Sequence, residues 1–242
     1  HEVLGTPVRF KNGVRGVVAC PGKTDPKEMK LDDLYLDIGA KDEAEAKSMV
    51  QVGDTAVYNT SAFINGSRIV SPYLDDRIAC VVLLMAMEQL KETENDLWFV
   101  FTVQEEVGIR GARTAAYGVD PDYGIAVDVT DSDDIPDAPH ECSSIAGKGA
   151  AIKVMDSSVI CHPAVVAKLE ALSKEHGIAA QKDILKAGGT DAGAIHQARA
   201  GVYTGGISIP TRYIHMPQEM ADLDDIKACA DLAAAFAQAK LD

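Results

Sequence analysis

Hydrophobic and polar positions follow two different rhythms along this chain. Over residues 1–70 the apolar positions come in short runs broken by polar ones. "PVRFKNGVRGVVA" places two β runs around Asn12-Gly13, a dipeptide that favours the tight hairpin turn. "LYLDIGA", "DTAVYN" and "SRIVSP" continue the pattern, with one helical stretch at "DEAEAKSMV". From Leu74 onward the runs lengthen. "DDRIACVVLLMAMEQL" predicts a long apolar helix starting just after Asp75, with Asp75 or Asp76 placed to cap it. Strand "LWFVFTV" (97–103), helix "GIRGARTAAYG" and strands "YGIAVDVT" and "AAIKVMD" follow. Helix "HPAVVAKLEALSKEHG", strand "QKDILK", helix "TDAGAIHQARA" and strand "VYTGGISIP" come next. An Ala-rich amphipathic helix, "DLDDIKACADLAAAFAQAKL", ends the pattern. Strands alternating with helices of this length predict an α/β fold, a mostly parallel sheet with helices on both faces. Residues 1–70 read as part of a small β-rich domain, and residues 71–242 as the main domain.

Composition narrows the picture. The 242 residues are 47% hydrophobic, 25% charged and 5% aromatic, enough for one large core or a core with a small satellite. No apolar run approaches the roughly 20 residues of a membrane span. A net charge of −14 argues against nucleic acid, whose phosphates reward clustered Lys and Arg. The five cysteines are scattered and form no C-x-x-C pair, which favours free thiols in a reducing, cytoplasmic setting. The opening "HEVLGTPVRF" has neither a basic leader nor a continuous apolar segment, so no signal peptide is expected.

Candidate chemistry begins at "FTVQEEVGIRGA" (101–112), where an apolar run ends on Glu105 and Glu106, just ahead of Gly108 and Gly111. In open α/β sheets, sites form beyond the carboxyl ends of the strands. Asp128 lies near the end of "YGIAVDVT", His215 follows "GGISIPTRYIH", and Asp75 opens the first long helix. Four acids and one histidine are thus expected on one rim. Oxygen and imidazole donors suit zinc, cobalt or manganese, and no thiolate set for a structural zinc site accompanies them. Each residue also has an ordinary reading: a helix cap for Asp75, a strand-end acid for Asp128, a packed histidine for His215, a solvated turn for the glutamates. Their joint placement favours a cation, because burying that much negative charge unpaired is costly.

The segments "LDDR", "FTVQEEVGIRGA", "AVDVT", "GKGAAI", "AGGTDAGAIH" and "PTRYIHMPQE", in this order, resemble the dinuclear metallo-aminopeptidases called tetrahedral or deblocking aminopeptidases. That group includes the glutamyl aminopeptidases, and relatives have often been labelled endoglucanases. The resemblance runs over nearly the whole chain. It implies a zinc aminopeptidase-like fold with the β-rich part as an inserted dimerisation domain. It also implies two divalent metal ions, zinc or cobalt first and manganese as a third choice. Asp75 would bridge them, joined to Asp76 by a cis peptide. Glu106 and His215 would complete one metal's shell, and Asp128 would bind the other. Glu105 would be the general base acting on the metal-bridging water and would pass the proton to the leaving amine.

The substrates implied are short peptides, trimmed at their N-termini, and the implied assembly is a homo-oligomer, a dimer building to a tetrahedral dodecamer. In "GGTDAG", Gly189 and Asp191 would line the substrate side, with Asp191 meeting the free α-amino group. A helix N-cap is the equal alternative for Asp191. His140, His162 and His196 are left outside the site. The resemblance further calls for an H-x-D histidine ahead of the β-rich domain. This sequence has no such motif, and His1 stands in the wrong place to serve. The expectation is therefore a chain lacking the family's N-terminal segment and its first strands.

Two other functions compete. A glycoside hydrolase would use two acids and no metal, leaving Asp128 and His215 without a role, and one Trp is sparse for a sugar-stacking cleft. A truncated, non-catalytic assembly subunit is the other.

Overall fold

The computed structural model describes residues 3–25, 28–138 and 142–241; His1 and His140 fall outside them. The short apolar runs near the start form a four-stranded antiparallel sheet. It contains β1 (Pro7–Phe10), β2 (Arg15–Ala19), β3 (Tyr35–Asp37) and β4 (Ala56–Tyr58), in the order β3-β2-β1-β4. The β1–β2 turn is the expected one. Gly13 takes a left-handed φ of 93°, and the Asn12 side chain accepts from the Val14 amide at 3.1 Å. Asn12 Nδ2 also donates to Met49 O at 2.8 Å, tying the hairpin to α1 (Glu43–Met49).

The rest of the chain builds a second, seven-stranded sheet. Its elements are β5 (Phe63–Asn65), β6 (Arg68–Ser71), α2 (Leu74–Glu88), α3 (Arg110–Val119), β7 (Tyr123–Asp131), β8 (Ala150–Met155) and α4 (Pro163–His176). Then come β9 (Ala180–Ile184), α5 (Ala192–Ile195), β10 (Tyr203–Arg212), β11 (Glu219–Asp222) and α6 (Leu223–Gln238). The order is β5-β6-β11-β10-β8-β9, with β7 on the remaining side of β10. Strands 63–71 thus belong to this sheet.

Helices cover both faces. Gly124 and Gly205 stand one residue out of step in the β7–β10 register, so they face opposite ways. A Cβ at Gly205 would meet Val165 of α4, and one at Gly124 would meet Ile195 of α5. On the α4 side, Ile152, Leu169, Ile207, Ile209 and Leu232 are at most 2% exposed and form the core with α2 and α6.

Three expectations change. The α/β class holds, but strand directions are mixed rather than mostly parallel. Among the described residues, only β7–β10 and β8–β9 run parallel, while β8–β10, β10–β11, β6–β11 and β5–β6 are antiparallel. Periodicity carries no direction, and short links such as 213–218 return the chain antiparallel to itself. The run 97–103 is not a strand: it has no strand partner among the described residues, and none of its residues is buried. Its pattern is that of a strand, but a strand also needs a partner ladder. The helix expected at "TDAGAIHQARA" shrinks to the single turn of α5.

Helix α2 begins irregularly. Tyr73 has φ 60°, the Asp75–Asp76 peptide is cis, and both aspartates have non-helical backbone. The regular helix starts after them, and Asp76 Oδ1 accepts from the Ala79 amide at 3.3 Å. Among the described residues, no helix is long and apolar enough to cross a membrane.

Candidate metal centre

Three separate elements bring donors to one point. Asp75 comes from the irregular start of α2, Glu106 from the segment ahead of α3, and His215 from the β10–β11 turn, where its φ is 66°. His215 Nε2 lies 3.1 Å from Asp75 Oδ2 and 3.3 Å from Glu106 Oε2. Tetrahedral coordination with arms of about 2.0–2.1 Å puts neighbouring donors about 3.3 Å apart, so the spacing and the O, O, N chemistry both suit zinc-like ions. The Asp75 side chain is 9% exposed, against 57% for Glu106 and 69% for His215, so the point sits at the mouth of a cleft.

Asp75 also belongs to a second group. One carboxylate oxygen each from Asp75, Asp76 and Asp128 lie within 4.8 Å of one another. Burial pushes the Asp75 carboxyl up to about 8, helped by the charges of Asp128 and Glu106. Burial likewise raises Asp128 to about 8, with Glu105 adding to it, and Asp76 to about 10, with Asp128 and Asp75 adding to it. Such a cluster either holds protons or is neutralised by a cation. The nearby cation, Lys153, is 1% exposed and lies 2.6 Å from Asp183, whose Oδ1 accepts from Thr130 and Ser144. Lys153 is thus already committed to another carboxylate.

Beside these groups stands Glu105, raised to about 7 by burial first and then by Asp191 and Glu106. Asp191 does not cap α5 with its side chain. Its Oδ2 accepts from Thr102 Oγ1 at 2.6 Å, while Oδ1 is buried without a hydrogen-bond partner. Gly189 lies close to Ser158, where a Cβ would come within 2.9 Å of that residue's own Cβ. Asp75, Asp128, Glu105, Glu106 and Asp191 all line one cleft of about 870 Å³. Its apolar wall includes Trp98 and Phe101. His162 and His196 have local duties instead. His162 Nδ1 accepts from the Ala164 amide, and His196 Nδ1 contacts Ala192 O.

Sequence reasoning placed Asp75, Glu106, Asp128 and His215 on one rim, and they lie there in two overlapping groups. It missed Asp76 as a member of the second group, having read it as an alternative cap. It also missed Glu219, which accepts amides from both the Asp75 and the His215 segments. The available signal was an acid four residues after a candidate ligand, too common a pattern to stand out alone.

Together the two groups offer the oxygen and imidazole donors that a divalent cation takes, the donor chemistry of metal-dependent hydrolases. The chain matches the M42 glutamyl aminopeptidase family over residues 11–232, and it belongs to that family of metal-dependent aminopeptidases. A curated relative from Acetivibrio thermocellus is 46% identical over 233 residues, covering 96% of this chain and 70% of the relative. Among solved structures, aminopeptidase APDkam598 from the archaeon Desulfurococcus kamchatkensis superposes with a TM-score of 0.91 at 37% identity, covering 98% of this chain and 69% of that one. The TET1 peptidase of Pyrococcus horikoshii, described as assembling into a tetrahedron or a large octahedral shell, gives 0.79 at 29% identity, over 97% and 72% of the two chains. The protein is therefore an aminopeptidase, a hydrolase enzyme, and the glycosidase reading is not favoured.

Proposed function

We propose that this aminopeptidase removes N-terminal residues from short peptides at the rim formed by Asp75, Glu106, Asp128 and His215, with Glu105 as general base. The observation that carries the reading is the meeting of Asp75, Glu106 and His215 donors at 3.1 and 3.3 Å beside a second carboxylate group that shares Asp75. Asp75, Glu106 and His215 would hold one divalent ion, and Asp75 and Asp128, with Asp76 alongside, the other. Zinc and cobalt suit these donors best, and manganese is also accommodated. Two such cations would polarise the scissile carbonyl and acidify the attacking water.

The chain's own residues do the rest. Glu105, which lines the same cleft and whose carboxyl is raised by burial and then by the charges of Asp191 and Glu106, would take the proton of the attacking water and hand it to the leaving amine. Asp191 presents one buried, unpartnered oxygen, an acceptor suited to a free α-ammonium group, with Thr102 fixing the other oxygen. Such an anchor would favour cleavage at a free N-terminus.

Assembly as a homo-oligomer through the four-stranded sheet fits that sheet's surface, which exposes Val17, Tyr35, Leu36 and Val57. Five free thiols fit a reducing cytoplasm.

The test is hydrolysis of aminoacyl 4-nitroanilides and of their N-acetylated forms, before and after chelation and re-addition of Zn²⁺ or Co²⁺. Free-amine substrates should turn over, acetylated ones should not, and chelation should abolish the rate reversibly. Equal rates on both substrate forms, or a rate indifferent to chelator, would overturn the reading.

A further inference from the structure

Glu219 opens β11, and its residue surface is 3% exposed. Its two carboxylate oxygens are spent on two distant backbone segments. Oε2 accepts from the Asp75 amide at 2.8 Å, and Oε1 accepts from the His215 amide at 3.1 Å. Those amides belong to two residues that bring donor atoms within 3.1 Å of each other. Neither segment has regular structure to hold it. Asp75 sits in the non-helical start of α2, and His215 takes a left-handed φ of 66° in the β10–β11 turn. Glu219 itself is well anchored, because β11 pairs with β6 and β10, and Glu219 stands opposite Ser71. The carboxylate therefore works as a fixed clamp from a paired strand onto two irregular ones.

We propose that Glu219 is a positioning residue that sets the separation of the His215 and Asp75 donors and thereby the affinity of this rim for a divalent cation. The claim rests on the reading of Asp75 and His215 as metal ligands. A glutamine keeps the shape but exchanges one acceptor oxygen for an NH₂ group, which faces an amide N–H as donor against donor. One of the two segments is then released. Groups that orient metal ligands are typically worth about 10–100-fold in metal affinity.

The experiment is titration of the metal-stripped chain with Co²⁺, read by its visible d–d absorption and by calorimetry. The parent, Glu219→Gln, Glu219→Asp, Asp75→Asn and Asp225→Asn are compared. Asp225 is the matched control. It is 1% exposed and likewise accepts two amides, from Gly147 and Gly149 at 2.6 Å each, but it touches no candidate ligand. Glu219→Gln should weaken Co²⁺ binding about 10–100-fold and alter the d–d spectrum while far-UV circular dichroism stays native. Asp225→Asn should lower the melting temperature with Co²⁺ affinity unchanged. Glu219→Asp keeps the charge but reaches one amide at a time, so its affinity should fall between parent and Gln. It provides the readout if the Gln chain unfolds. Parent-like affinity and spectrum in the folded Glu219 variants would overturn the positioning role alone. A parent that binds no Co²⁺, or an Asp75→Asn chain that binds it equally well, would overturn the metal reading and the positioning role with it.

Discussion

Two apolar runs feed the rim, and they have different fates. β10 delivers the chain to His215, and residues 97–103 deliver it to Glu105 and Glu106. β10 lies between β7 on one side and β8 and β11 on the other, and Thr204 through Thr211 are all buried. The run 97–103 is apolar at every position but Thr102 and has no ladder, leaving Trp98 70% and Val103 68% exposed. Its ties are few. The Gly111 amide donates to Val103 O at 2.9 Å, and Thr102 donates to Asp191. An apolar pattern states a capacity for burial; a neighbouring strand decides whether the capacity is used. One half of the rim is consequently set by the sheet, and the other hangs on a few local contacts.

The sharpest way to separate the halves is to remove the proton carrier from the loosely held one. Glu105→Gln should lower kcat about 10²–10⁴-fold while leaving Co²⁺ binding and melting temperature near the parent values. A near-normal rate would assign the base elsewhere. On the sheet-held side, Lys153→Met should act on stability. It strips the partner from Asp183, which is fully buried beside Lys153 at 2.6 Å. Breaking a buried pair from one side typically costs about 3–5 kcal/mol, to be read from urea unfolding. A loss below about 1 kcal/mol would mean that Asp183 is protonated or otherwise satisfied.

The carboxylates that join the two halves predict a pH dependence of the metal-free protein. Unfolded, these groups titrate near pH 4. Folded, Asp75 and Asp128 hold protons up to about pH 8 and Glu105 up to about pH 7. The native state thus binds more protons than the unfolded one across that window, so stability falls as pH rises from about 4 to about 8. Melting temperatures in chelator should decline along that range, and saturating Zn²⁺ should flatten or reverse the trend. A metal-free protein that gains stability across the window would contradict it. The smallest effect is expected at Val103→Ser, because exposed positions usually stay within about 0.5 kcal/mol. A drop of several kcal/mol would mean that the run is covered in solution, and the contrast with β10 would dissolve.

Local pattern was sufficient for α2, α4 and α6 and for β7, β8 and β10. Their periodicity repeats over enough residues, and their ends carry readable signals such as the left-handed Gly177 after α4 and the Asp222 cap of α6. It also singled out four acids and a histidine, two of them, Glu105 and Glu106, through a strand over 97–103 that the fold does not form. Other features depended on the tertiary structure. Strand directions, the unpaired state of 97–103, the pairing of Lys153 with Asp183, and the double grip of Glu219 all involve residues far apart in sequence. Hydrophobic periodicity is a property of one segment, whereas a ladder, an ion pair or a clamp exists only once two segments meet. The sequence determined the inventory of donors. Only folding decided which donors come within a metal's reach, and which buried carboxylate holds two of them there.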